Sequence, residues 1–426
     1  MTSKIALIGA GSHFTPGVLR DLIHSKVLGS SELTLMDPNP DALDISSRLG
    51  LRMIDQAGSD LQLDSTTDLA RSLESADFVI TTILVGGLDV CKTDIDIPLK
   101  YGIYQSTGDT VGPGGFIRAL RTVPAMVEIA ETMEDVCPDA WLFNYSNPLS
   151  CLSIAVRETT DLKSVGLCHG WKGTVGALSR FLEVDPGHMD FIATGVNHLT
   201  WMLDIRENGE DIYPELRSRL QDENVPGWPI SSDLCRIFGY FPSPGDRHIA
   251  EFFPHFLTER ANKGADYGLE LRDIEGRISS KIERTKEMTA QANGDAPLGN
   301  LDRPSGEEVV AIMECLAGDR EREFVVNVPN RGYVDNLPGE AVIEVHALIG
   351  PRGLRGIHIG NLPPGLAAIT ASRIRQQELT VKAALAGNRN LALQALILDP
   401  VVRSIEDAES MLEELMEASS DYLPQF

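Results

Sequence analysis

Basic charge is what this chain has least of. Among 426 residues, 37 Lys and Arg stand against 62 Asp and Glu, a formal net charge of −25 at neutral pH. Such a surface repels phosphate backbones and anionic headgroups, so neither nucleic acid nor a membrane is an expected partner. Long apolar runs are missing as well. No stretch approaches the roughly 18 uncharged apolar residues of a membrane span. The opening "MTSKIALIGAGSHF" has an apolar run of five residues that leads straight into a glycine turn, so no export signal is expected. Closely spaced cysteines are absent too. Cys91, Cys137, Cys151, Cys168, Cys235 and Cys315 are scattered with no C-x-x-C spacing, which argues for reduced thiols in a cytoplasmic protein. Nor does the chain show an internal repeat, a low-complexity tract or a flexible linker.

What is present is apolar residues, at 42%, enough for a sizeable core in two domains or one elaborated domain. In the first third, short β-branched runs alternate with helical patterns. "KIALIGAG", "ELTLMD", "ADFVITTILVGG" and "AWLFNYSNP" read as strands, with helices between them. That alternation predicts a Rossmann-like, doubly wound parallel sheet. "DFIATGVNHLTWMLDIRENGEDI" changes character and reads as antiparallel sheet. Residues 213–262 look irregular, and helices are expected to dominate from "DYGLELRDIEGRISSKIERTKEM" onward. The expected division is 1–195 for the Rossmann-like domain and 196–426 for a mixed α+β domain.

After the first strand, "GAGSHF" places Gly9 and Gly11 in a tight turn, with Ser12 following and Phe14 where the dinucleotide fingerprint has its third glycine. Asp37 ends the second strand, where a carboxylate can accept from a ribose hydroxyl and repel a phosphorylated one, favouring NAD over NADP. An ordinary strand–helix turn contains similar glycines, but the flanking elements and terminal Asp favour a dinucleotide.

Three stretches are chemically dense. "NYSNP" sets Asn144 and Asn147 at the end of a strand, "GLCHGW" holds Cys168 and His169, and "GVNHLTW" holds His198. Thiolate and imidazole suit a borderline divalent ion. A buried Cys is more often a small hydrophobe, and a Cys–His nucleophile pair is another reading. "FGYFPSPGDRHIAEFFPHF" adds Tyr240, Asp246, His248, Glu251 and His255. "QSTGDTVGPGGFIRALR" adds Asp109, Arg118 and Arg121 around a glycine-rich loop.

Taken in order, "IGAGSHFTPG", "GDTVGPGGFIRALRTVP", "FNYSNP", "GLCHGW", "GVNHLTW", "FGYFP", "NVPNRGYVDNLP" and "ELTVKAALAGNRNLALQAL" resemble the NAD- and metal-dependent glycosidases of glycoside hydrolase family 4 nearly end to end. Family 4 departs from the two-carboxylate glycosidase scheme. The resemblance implies a fold like that of lactate and malate dehydrogenases. It also implies NAD bound around Gly9, Gly11, Ser12, Phe14, Asp37 and Asn144, and Mn2+ or another divalent ion on Cys168 and His198. Asn147, His169 and Arg118 are implied on the substrate, Tyr240 as the base, Asp109 as a further catalytic residue and His169 as a candidate acid, with His248 and Glu251 competing for that role. The implied reaction oxidises the sugar at C3 with NAD, removes the C2 proton, eliminates the aglycone, adds water and re-reduces the ketone. Homodimers or homotetramers are the implied assemblies.

Cys168-His169-Gly170 resembles the branch acting on unphosphorylated α-glycosides, and uronic acids in particular. Lys172, Arg247 and Arg331 are candidates to pair with such a carboxylate. Neutral α-galactosides or α-glucosides are the nearest alternatives. A metal-independent NAD-dependent 2-hydroxy acid dehydrogenase is a more distant one, and a nucleotide-binding sensor without chemistry is another.

Overall fold

The computed structural model describes residues 2–426. Its first strands are β1 (Lys4–Ile8), β2 (Glu32–Met36), β3 (Gln62–Thr66), β4 (Phe78–Thr81), β5 (Trp141–Asn144) and β6 (Lys163–Gly166). They pair in parallel in the order 3-2-1-4-5-6, that of dinucleotide-binding sheets. Helices cover both faces: α1 (Thr15–His24), α2 (Pro40–Ala57), α3 (Leu69–Leu73), α4 (Gly87–Lys100), α5 (Gly112–Val136), α6 (Leu149–Thr159) and α7 (Gly170–Leu182). The central strands β1 and β4 are almost wholly buried, which accounts for their unbroken Ile, Leu and Val content.

The sheet continues antiparallel through β7 (Met189–Val196), β8 (Leu199–Glu207), β9 (Glu210–Asp211) and β10 (Phe241–Ser243). Residue 195, the expected domain division, lies in β7, where Gly195 pairs with Thr200. The region expected to be irregular holds α8 (Tyr213–Arg219), α9 (Pro229–Phe238) and α10 (Asp246–Ile249).

The largest departure from the sequence reading lies further on. Between α11 (Ile274–Asn293), α12 (Val309–Ala317) and α13 (Pro364–Ala386) come three strands, β11 (Arg322–Pro329), β12 (Val342–Gly350) and β13 (Gly353–Gly356). β11 and β12 join the two halves of the sheet, since β11 pairs with β6 and β12 with β7. "EFVVNVP" and "VIEVHALIG" are buried on both faces, so they lack the alternation that marks a half-exposed strand. α14 (Arg389–Ile397) and α15 (Ile405–Ala418) pack with α13 against α5, around a second core centred on Val123, Met126, Val381 and Met411. Among the described residues, no helix is long and apolar enough to cross a membrane.

Candidate active site

The order 3-2-1-4-5-6 reverses between β1 and β4, and a ligand crevice opens at the carboxyl ends of strands at such a point. A cavity of about 360 Å³ lies there. It is lined by Ser12 and Phe14 after β1, Thr82–Leu84 after β4, Tyr145–Asn147 after β5 and His169 after β6.

Backbone geometry builds the β1 end. Gly9 has φ +86°, and a Cβ there would lie 2.7 Å from the Thr82 carbonyl oxygen. At Gly11 a Cβ would lie 2.8 Å from Asp37 Oδ2, which accepts the Gly11 N–H at 2.8 Å. Asp37 therefore braces the turn, and its Oδ1 takes the Asn39 N–H. Phe14 stacks on Tyr145 with ring centroids 4.6 Å apart, occupying the place of the third glycine. Asn144 does not line the cavity. Its Oδ1 accepts from Thr81 and from the Ser146 N–H, so the side chain holds the β5 turn together.

Side chains build the other end. β7 and β8 are joined by Asn197 and His198, and His198 sits in the left-handed region at φ +67°. A β-hairpin turn favours Gly there, and an L side chain costs about 1–2 kcal/mol. The strain fixes a buried imidazole beside Asp109 and His248, and the ligand atoms of the three lie within 4.8 Å of one another. The His198 and His248 rings are 3.9 Å apart. Thr110 Oγ1 donates to Asp109 Oδ1 at 2.7 Å and so accepts from His198 Nδ1 at 2.7 Å. That relay puts the His198 proton on Nδ1 and leaves the Nε2 lone pair free.

Burial, then the neighbouring His248, pushes the His198 pKa down to about 3, so the ring is neutral at working pH. Burial opposes ionisation of Asp109, and positive charge on His248 or His198, together with Arg118 and the Thr110 hydrogen bond, holds its carboxyl below the usual carboxylate range. His248 is lowered mainly by burial, and its buried Nδ1 has no partner. Glu251 accepts the Thr107 and Gly108 N–H groups on one oxygen, leaves the other unpartnered, and is pushed up to about 8 by burial.

Cys168 lies half-buried after β6, outside the three-group cluster, and accepts the Gly170 N–H at 3.4 Å. Burial pushes its thiol up to about 12. His169 reaches the cavity with Nδ1 3.0 Å from Glu307 Oε1, and that hydrogen bond raises its pKa. Arg118 lines the cavity with its Nε 3.8 Å from Asp94 Oδ2 and its Nη2 donating to Cys91 Sγ, and Arg272, whose buried Nε has no hydrogen bond, and Arg277 join it.

Tyr240 is the residue expected as the base. Its ring packs edge-on against Tyr213 and beside the Arg217 guanidinium, and it lies outside the cavity lining, as do Cys168, His198 and His248. β10 carries it away from the hairpin turn: Ser243 pairs with Thr200, while Tyr240 precedes the first paired residue, Phe241. Of the cations expected to meet a carboxylate, Lys172 donates to the Gly306 carbonyl and Arg247 to that of Ser106, while Arg331 lies in the β11–β12 connection. None of the three lines the cavity.

Residues 4–184 match the model of family 4 glycosyl hydrolases, and residues 193–402 match that of the family's C-terminal domain. The chain belongs to family 4 of the glycosyl hydrolases. An alpha-galactosidase of Bacillus subtilis is 32% identical, covering 99% of each chain. An alpha-galacturonidase of Thermoanaerobacterium saccharolyticum is also 32% identical, covering 98% of this chain and 96% of its own. A solved 6-phospho-alpha-glucosidase from gut microorganisms, in complex with NAD and Mn2+, shares the fold at TM-score 0.87 and 21% identity over all of both chains. The malate dehydrogenase of Plasmodium falciparum shares its architecture at TM-score 0.54 and 13% identity, over 92% of this chain and 100% of its own.

For this family 4 enzyme, sequence reasoning passed over Thr110, Glu307, Arg272 and Arg277. Thr110 and Glu307 carry no local signal, because they meet the histidines only through the fold. The arginines did leave one: in a strongly acidic chain, Arg277, Lys281 and Arg284 recur at helical spacing shortly after Arg272.

Proposed function

We propose that this enzyme hydrolyses an unphosphorylated α-glycoside of a uronic acid, an α-galacturonide or α-glucuronide, using NAD and a divalent ion such as Mn2+. The observation that carries this reading is one cavity shared by Ser12 and Phe14 of the glycine turn, by Asn147 and His169, and by Asp109 of the histidine cluster. A dinucleotide site and an acid–base site thus open onto the same sugar-sized space.

The residues present fit both cofactors. A Cβ at Gly9 or Gly11 would collide with its surroundings, as in a turn shaped for close approach of a pyrophosphate. The free Nε2 of neutral His198 and the Cys168 sulfur would hold the ion, and a bound cation lowers a thiol pKa. Bound there, NAD would supply hydride acceptance and return at C3, and the ion would supply polarisation of the adjoining oxygens, which acidifies the C2 proton. His248 then accepts that proton on Nδ1, and the ionised Asp109 beside it stabilises the imidazolium. His169, held through Nδ1 by Glu307, delivers a proton from Nε2 to the departing oxygen. Asn147 holds the sugar hydroxyls. Arg118 and Arg272 meet the carboxylate, a role supported by their place in the cavity lining and by the unpartnered buried Nε of Arg272.

In this reading residues 1–195 hold the dinucleotide and 196–426 close the sugar and metal side. The assembly is a homodimer or homotetramer in the cytoplasm. The relative named alpha-galactosidase favours one second reading, a neutral α-galactoside.

The test is hydrolysis of aryl α-galacturonide, α-glucuronide, α-galactoside and 6-phospho-α-glucoside in D2O with NAD and Mn2+. Expected are fastest release from a uronide, deuterium at C2 of the product and no net NADH. Release without the C2 label would sink the elimination route, and fastest release from the galactoside would establish the neutral-sugar reading. Activity unchanged by chelation would remove the metal.

A further inference from the structure

α11 is an unusual covering element. Of its 20 residues, Ile274 and Ala292 are the buried ones. It is fastened by its ends and its middle. At its start Ile274 packs with Cys91 and Ile95, and Lys92 reaches Glu275. Near its end Arg52 donates to the Gln291 carbonyl and Arg48 to Asn293. Midway, Thr285 Oγ1 lies 3.2 Å from His13 Nε2, in the glycine turn itself.

The face between these fastenings is basic instead of apolar. Arg277, Lys281 and Arg284 follow at i, i+4 and i+7 and fall within a sector of about 60° at 100° per residue. Glu275 and Glu283 lie more than about 120° from the middle of that sector and are taken up by Lys92 and Lys286. Among the described residues, Arg277, Lys281 and Arg284 make no ion pair. Arg277 lines the cavity with Ser12. Lys281 stands one turn on, between Arg277 and the Thr285 that touches His13, and Arg284 precedes Thr285. The fields of Arg284 and Lys281 lower the His13 pKa, behind the larger effect of burial.

We propose that Lys281 and Arg284, with Arg277, clamp the pyrophosphate of the dinucleotide against the β1–α1 turn. The proposal rests on the NAD reading above. A dianionic bridge at the N-terminus of α1 must approach a protein of formal charge −25, so cations have to be gathered locally to offset the repulsion. The glycine turn does part of this through its backbone. Phe14, the N-cap of α1, offers no side-chain capping bond. The basic face of α11 supplies the charge from the opposite side, and the ligand fills the space that apolar side chains would otherwise occupy.

The test is equilibrium binding to the full-length enzyme without substrate, by calorimetry at low and at high salt. The ligands are NAD, ADP-ribose and adenosine. The Lys281→Gln/Arg284→Gln double variant is expected to bind NAD and ADP-ribose at least about tenfold more weakly at low salt, with the difference shrinking at high salt. Adenosine, which lacks the pyrophosphate, should bind both proteins alike. Lys286→Gln, on the far side of the helix, should bind NAD like the parent, and melting curves should coincide for all three proteins. Parent-like NAD affinity in the double variant at low salt would overturn the clamp alone. Failure of the parent to bind NAD would overturn the proposed function and the clamp with it. Equal losses for adenosine and NAD would also overturn it, because the defect would then not be in phosphate recognition.

Discussion

The parallel and antiparallel halves of the sheet build the candidate site in different ways. The parallel half works through backbone: Gly9 at φ +86° and Gly11 under Asp37 shape a tight turn with no room for a Cβ. The antiparallel half works through a side chain held at a backbone cost, His198 at φ +67° in a hairpin turn where glycine would be relaxed. One half gave up side chains to let a ligand approach. The other kept an imidazole where backbone preference argues against it, which is the pattern of strain retained at functional sites.

Exchanging one feature at each position should separate the two contributions. Gly9→Ala forces a Cβ toward Thr82 and an alanine into left-handed backbone, a penalty of about 1–3 kcal/mol. A lower melting point and at least about tenfold weaker NAD binding are expected. His198→Asn keeps a residue that tolerates the left-handed region but removes Nε2. Glycoside hydrolysis should fall more than about 100-fold while NAD affinity stays near that of the parent. If both variants lost NAD affinity equally, the two halves would not be working separately.

A smaller but sharper contrast lies within the antiparallel half, between Tyr240 and His248. Both follow α9, Tyr240 closely and His248 after β10, yet one packs on Tyr213 and the other lies against His198. His248→Gln should lower the hydrolysis rate by about 10²–10⁴-fold, the usual contribution of a general base, with Mn2+ affinity retained. Tyr240→Phe keeps the packing and should leave the rate within about threefold of the parent. The reverse result would return the role of base to Tyr240. Loss of Mn2+ affinity in His248→Gln would make His248 a ligand instead.

The same contrast marks where sequence could be read and where it could not. The β1 turn was legible because its requirements are local: two glycines and a strand-terminal acid within one βαβ unit. Family resemblance brought out Cys168, His169 and His198, but roles carried over by motif follow sequence position alone, and for Tyr240 the fold sets the ring against Tyr213. "FGYFP" matched as a string, while the strand it begins leads the chain onward to His248. β11 and β12 were hidden because burial on both faces erases the alternation that marks a strand. The Asp109–Thr110–His198 relay joins residues nearly ninety positions apart, so nothing in either segment announces it.

The smallest expected effect concerns proton transfer at the sugar and turns on the His169–Glu307 contact. His248 must be unprotonated to act, and burial lowers its pKa from 6.5, so the rate should fall as pH drops through a value below 6.5. His169 must be protonated, and Glu307 raises its pKa from 6.5, so the rate should fall as pH rises through a value above 6.5. Together they predict a bell with its plateau spanning 6.5. Glu307→Gln removes the leading cause of the His169 shift and should move the alkaline limb to lower pH while leaving the acid limb in place. The side chain of His169 is 65% exposed, so water already screens part of the Glu307 field and the displacement should be modest. A substrate with a good leaving group, which needs no proton, should lose the alkaline limb altogether and respond little to the variant. If the acid limb moved instead, His169 would be the base and the two imidazoles would have to exchange roles.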